Sequence, residues 1–186
     1  RLWNSILLWN MKKVVFLIAI VLAALVGVGQ DTTFHLTIGT PGIEDAVDLF
    51  ETNEGVLLFG NTGNTGNGQS DIYIVNVSFD LTLLNSQRIG TVGIEKLTSV
   101  TKLNNGNYVL ASYSYDGFGS SDYDIRLDVA DSSGVVFNTL ILEELGVQTP
   151  VDLCSNEESI FLLFRNEGAA LEETYFVRNF DYQLNE

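Results

Sequence analysis

"IGTPGIEDAVDLFETNEGVLLFG", residues 38–60, is answered further along the chain by "IGTVGIEKLTSVTKLNNGNYVLA", residues 89–111. At an offset of 51, Ile38, Gly39, Thr40, Gly42, Ile43 and Glu44 meet Ile89, Gly90, Thr91, Gly93, Ile94 and Glu95. Asn53 and Gly55 meet Asn104 and Gly106 at the same offset. A weaker third copy sets "AVDLFETNEGVLLF", 46–59, against "PVDLCSNEESIFLL", 150–163, at an offset of 104. Self-similarity at a fixed period marks a repeated supersecondary unit that cannot bury its apolar face alone. The repeats span about 38–88, 89–142 and 143–186.

Each unit has the same internal grammar. An alternating segment such as "EDAVDLFET" (44–52) leads through "NEG" (53–55) or "NNG" (104–106) into "VLLFG" (56–60) or "YVLAS" (108–112). A Gly/Ser/Asn/Asp-rich loop follows, then "DIYIVNV" (71–77), "DIRLDV" (124–129) or "TYFVRNF" (174–180). A further turn, "SFD", "DSSG" or "FDYQ", precedes last segments such as "LTLLNSQRIG" (81–90) and "VVFNTLIL" (135–142). Short β-branched and aromatic runs between turn clusters are strands, four to a unit. No amphipathic helix is visible, and "EELG" (143–146) makes at most one helical turn. The expected fold is all-β, a β-propeller-like array of about three four-stranded antiparallel blades, whole or part of a larger propeller. The alternative is a Greek-key β-sandwich, in which such a self-match is unusual.

The order G-x-x-G-x-E, N-x-G before an apolar strand, a Gly/Asp loop, D-I-x-x-x-x-V and a D-S-S-G turn resembles the exported repeat propellers of Bacteroidota. The resemblance covers about residues 38–186 and implies a propeller fold and export. It departs from the family at Arg126, where Tyr73 of the first unit keeps the aromatic, and in the third unit, which lacks the aspartate before its strand. Members often carry a C-terminal sorting domain, and this sequence shows none.

Three units are fewer than the four to eight blades usual in a propeller. "FHLTIG" (34–39) aligns with "NSQRIG" (85–90), an outermost-strand position, and "FDYQLNE" (180–186) stops near the start of a fourth strand. A truncated propeller is the first expectation, and an open array the second. Open blade edges and faces invite another chain, so self-association is expected.

"MKKVVFLIAIVLAALVGVGQD", 11–31, has a basic start, a short apolar core and a small-x-small site before Gln30, the pattern of a signal peptide over 11–29. Residues 1–10 read as upstream, non-native sequence. Residues 30–186 then form one β-repeat domain, secreted, at the cell surface or periplasmic, without a membrane span. Removing 1–29 takes away Arg1, Lys12 and Lys13, leaving 6 basic and 24 acidic residues, a formal −18. That charge repels phosphate backbones, so nucleic acid is not an expected partner. Cys154 is the only cysteine, which excludes an intrachain disulfide, and its apolar surroundings suggest a small buried hydrophobe.

Catalysis finds little support. His35 is the only histidine, no G-x-S-x-G accompanies it, and multi-histidine zinc sites are impossible within one chain. Glu44 and Glu95 resemble a glycosidase pair in type. They hold equivalent repeat positions, however, whereas an acid and a base need different environments. Hydrogen bonding to turn amides is the expected role, and Asp48 and Asp152 are read alike. Asn76-Val77-Ser78 is a sequon that falls inside a strand.

"GNTGNTGNGQSD" (60–71) reads as a long loop between the second and third strands of the first unit. Its counterpart "ASYSYDGFGSSDYD" (111–124) is richer in chemistry. Tyr113, Tyr115, Asp116, Phe118 and Tyr123 could grip a glycan or a protein partner. Asp116, Asp122 and Asp124 could hold Ca²⁺, the one cofactor considered, although the spacing fits no EF-hand or nonapeptide loop. The plain alternative is a solvated connection. The leading functional expectation is an exported, non-catalytic binding or scaffolding module. The alternative is a fragment of a secreted, carbohydrate-active enzyme completed by further blades.

Overall fold

The computed structural model describes residues 36–39, 44–63, 68–115, 122–143, 145–168 and 172–186. Eleven strands account for the order, and no helix occurs among the described residues. They form three consecutive antiparallel meanders. The first contains β1 (Glu44–Glu51), β2 (Gly55–Gly63), β3 (Ser70–Ser78) and β4 (Leu83–Ile89). The second contains β5 (Ile94–Lys102), β6 (Tyr108–Tyr115), β7 (Asp124–Ala130) and β8 (Val136–Leu142). The third contains β9 (Val147–Ser155), β10 (Ser159–Glu167) and β11 (Glu173–Asp181). It therefore has three strands among the described residues, one fewer than the other two units, and ends near where a fourth strand was expected to begin. Leu36–Gly39, expected at an outermost-strand position, lies outside every strand.

Neighbouring meanders touch in the same way. Ser70 forms a parallel bridge to Ile94, and Tyr123 forms one to Val147. Each first strand carries a one-residue bulge, at Val47, Thr98 and Val151. A bulge increases local twist, so all three first strands bend alike. The five-residue turns Ser78–Thr82, Asp131–Val135 and Asp181–Asn185 share one hydrogen-bond pattern. The fourth residue of each is left-handed: Leu81 at φ 63°, Gly134 at 87° and Leu184 at 65°.

The core lies between the meanders. Leu57, Phe59, Ile72 and Ile74 of the first pack against Leu97, Val100, Tyr108 and Leu110 of the second. Val109, Ala111, Ile125, Leu127 and Val129 of the second pack against Leu153, Ile160, Leu162, Phe164 and Phe180 of the third. Successive strand residues point to opposite faces, so Tyr108 and Leu110 look one way while Val109 and Ala111 look the other. The middle sheet is covered on both faces, and "YVLA" accordingly reads as an unbroken apolar run. Each fully buried Leu or Ile contributes roughly 1.5–3 kcal/mol. Phe50, Phe59 and Tyr108 add an aromatic cluster with ring centroids 5.1–5.9 Å apart.

Two further expectations need correction. β2 runs on to Gly63 and β3 begins at Ser70, so the ends of "GNTGNTGNGQSD" are strand and the connection is shorter. Asn61 is buried there because it serves the next meander: its Nδ2 donates to the Leu97 carbonyl at 3.1 Å, and its Oδ1 accepts from the Leu97 N–H at 2.7 Å. Cys154 is exposed rather than buried. It pairs with Phe161 on the face of the third meander turned away from the second, which no further sheet among the described residues covers.

Candidate functional site

β6 extends into the stretch expected to be loop and carries Tyr113 and Tyr115 on its last residues. Tyr123 lies just before β7 and meets both. The Tyr113 and Tyr123 rings stand 5.2 Å apart at 78°, and the Tyr115 and Tyr123 rings 5.1 Å apart at 43°. These are the edge-to-face and tilted geometries that the ring quadrupole favours. The Tyr123 carbonyl accepts the Gln148 N–H at 3.0 Å, which fixes the cluster at the junction of the second and third meanders. All three rings are half-buried. Burial, and secondarily the phenol of Tyr123, holds the Tyr113 phenol above its ordinary pKa. The cluster thus offers aromatic surface with hydroxyl groups, and the Tyr113 phenol is held the more firmly in its neutral form.

Asp122 and Asp124 flank Tyr123 in sequence, are half-buried, and interact with other residues. Asp116 and Phe118 lie outside the described residues, as does His35. Among the described residues no group of three His, Cys, Asp or Glu side chains converges as a metal site. The structure therefore brings together Tyr113, Tyr115 and Tyr123 of the expected set.

The repeated carboxylates take structural roles. Glu95 is fully buried and accepts from the Thr91 N–H at 2.9 Å and the Thr91 hydroxyl at 2.5 Å. Gly90 makes room for this: a Cβ there would stand 2.0 Å from Asp71 Oδ1 and 2.8 Å from Glu95 Oε2. Asp48 and Asp152 each accept the next residue's N–H beside the bulge, at 2.7 and 2.8 Å. Asp152 also accepts from the Ser99 hydroxyl at 3.0 Å, linking β9 to β5. Asn76 is buried in β3, so its sequon is not presented by the folded chain.

Two further features escaped the sequence reading. Gln148 occupies the place of Glu44 and Glu95 in the third unit. It is fully buried, and its amide oxygen and nitrogen have no hydrogen-bond partner among the described residues. The exchange of Glu for Gln was visible, and it fits a place where a charge would be costly to bury. Arg126 forms a bidentate ion pair with fully buried Asp128, at 2.7 and 2.9 Å, and Thr139 donates to the same carboxylate at 2.5 Å. Burial works against the guanidinium charge, but the bonds and field of Asp128, with the field of Glu95, raise the Arg126 pKa above its ordinary value. The spacing i, i+2 on a strand was the available signal, since it puts both side chains on one face.

Compared with protein-family models the chain matches none, and compared with curated proteins it likewise has no significant match.

Proposed function

We propose that this chain is an exported, non-catalytic binding module of β-propeller type, with Tyr113, Tyr115 and Tyr123 as its contact surface for a neutral glycan. The propeller reading draws on three successive meanders joined by equivalent bridges, with equivalent bulges and turns. The resemblance to exported Bacteroidota propellers and the signal-peptide pattern at 11–29 support the address.

The observation that carries the functional reading is the tyrosine cluster itself. Half-buried rings packed against one another lose little conformational freedom when a ligand arrives. Their faces suit the C–H surfaces of a sugar, and Asp122 and Asp124 nearby are acceptors suited to its hydroxyls. The strong negative charge disfavours anionic glycans. The recurring carboxylates serve as hydrogen-bond acceptors for backbone and hydroxyl donors, an occupation that suits architecture better than acid–base chemistry.

The test is a calorimetric titration with a panel of neutral oligosaccharides. Binding by the parent chain should weaken at least roughly tenfold in Tyr123→Ala, about the loss of one stacked aromatic contact. Binding that is indifferent to Tyr113→Ala and Tyr123→Ala, or confined to a peptide ligand, sinks the glycan reading.

A further inference from the structure

The two internal junctions of the stack follow one plan, yet one is filled where the other is open. At the junction of the second and third meanders, Leu103 and Ile160 lie in one apolar cluster, against which Tyr182 packs. Leu103 is 2% exposed and Ile160 0%. The Tyr182 hydroxyl donates to the Asn156 carbonyl at 2.5 Å, and the Ser155 hydroxyl to the Lys102 carbonyl at 3.1 Å.

The first junction keeps this plan and changes the residues. Ser155 is replaced by Lys102, whose Nζ donates to the equivalent carbonyl, that of Glu51, at 3.4 Å. Ile160 is replaced by Tyr108, since Tyr108 pairs with Lys102 as Ile160 pairs with Ser155. Leu103 is replaced by Thr52, at the offset of 51, and Tyr182 by Ser132, each the second residue of its turn. Two bulky side chains thus give way to two small hydroxyl ones. What remains is an open cleft of about 340 Å³ lined by Glu51, Asn53, Lys102, Gly106, Tyr108 and Ser132. Nothing lies within 4 Å of where a Cβ on Gly106 would stand.

Opposite charges share this cleft without neutralising each other. Neither Lys102 nor Glu51 is in an ion pair among the described residues. The Lys102 ammonium sits 5.6 Å from the Tyr108 ring centroid and donates to the Glu51 carbonyl. It carries three N–H donors, so two stay open to a ligand.

We infer that this cleft binds a small zwitterion of the α-amino acid type, with its carboxylate on Lys102 and its ammonium on Glu51. A simple anion would meet Glu51 and a formal chain charge of −15. A simple cation would meet Lys102. A molecule with both charges satisfies both side chains and has no net charge to be repelled. The volume suits a small ligand, and Asn53 and Ser132 add the few placed polar groups such a site uses. The cleft lies at the opposite end of β6 from Tyr113 and Tyr115. The proposal is therefore independent of the glycan reading, and Tyr123→Ala should leave it intact.

The test is an amide NMR titration of the purified chain with L-leucine, L-leucinamide and N-acetyl-L-leucine. The amide lacks the carboxylate and the acetyl derivative lacks the ammonium. L-leucine should shift the Asn53 and Gly106 signals saturably. Each derivative should bind at least roughly tenfold more weakly, about the loss of one charge-assisted hydrogen bond. Lys102→Met and Glu51→Gln, both at exposed positions, should each weaken L-leucine binding by a similar factor with an unchanged circular dichroism spectrum. Lys102→Met should also erase the preference over L-leucinamide, and Glu51→Gln the preference over N-acetyl-L-leucine. Ser132→Tyr, which restores the bulk of Tyr182, should abolish binding. Absence of saturable shifts, derivatives bound as tightly as L-leucine, or a Ser132→Tyr variant that binds as the parent does overturns the proposal.

Discussion

Asn61 closes its side-chain amide on both backbone groups of Leu97, donating at 3.1 Å and accepting at 2.7 Å. The pair joins β2 of one meander to the bulged strand of the next. A bulge leaves backbone groups outside the regular ladder, and here a side chain from the neighbouring sheet supplies their partners.

Asn61→Ala leaves a buried N–H and a buried carbonyl without those partners. The expected cost is about 2–6 kcal/mol, taking roughly 1–3 for each orphaned group. Urea denaturation monitored by tyrosine fluorescence measures it. A loss below about 0.5 kcal/mol, the range of ordinary surface substitutions, would show that water replaces the clamp.

Leu81 and Leu184 share a left-handed turn position, at φ 63° and 65°, that Gly134 fills in the second meander. A left-handed non-glycine residue costs roughly 1–2 kcal/mol. Leu81 is only half-buried, so Leu81→Gly is expected to be neutral or stabilising by up to about 1 kcal/mol. Leu184 is buried in the second core cluster. Leu184→Gly gives up about 1.5–3 kcal/mol of burial and is expected to be net destabilising. Thermal melts of the two variants should move in different directions, and a fall of equal size in both would discount the backbone strain.

The aspartates of these turns titrate low. Burial pushes Asp131 up, but the Ser133 hydroxyl and the N–H groups of Val135, Ser133 and Gly134 outweigh it. Asp181 is held down by the Asn185 side chain, then by the N–H groups of Asn185 and Gln183. Asp80 is held down by the Ser78 hydroxyl and then by Thr82. A carboxylate whose folded pKa lies below its unfolded value of about 3.9 contributes stability above that pH. The contribution is lost as pH falls through the folded pKa. In a carboxyl-carbon NMR titration the three signals should move below the ordinary aspartate range. Normal midpoints for Asp131 and Asp181 would refute the turn geometry.

Much of the fold was legible because the repeat constrains it. The turns at 53–55 and 104–106, the "DIYIVNV" and "DIRLDV" strands, and the absence of helix follow from periodicity and turn chemistry that act within a few residues. Tyr113, Tyr115 and Tyr123 were legible as a set because two strands joined by a connection must bring their ends together. Asn61 and Cys154 were misread for one reason. Whether "GNTG" is loop or strand, and whether "DLCS" is covered, depends on the presence of a neighbouring sheet. The Arg126–Asp128 pair looked like a lost aromatic until burial showed the carboxylate to be wholly enclosed.

By itself, then, the sequence determined strands, turns and their threefold recurrence, because backbone propensity and alternation are local. The tertiary structure alone decided which faces are covered: Val109 and Leu110 are both buried, while Leu49 and Val177 both stand open. Every strand alternates its side chains between two faces. Only the stacking of sheets determines which of those faces lose water.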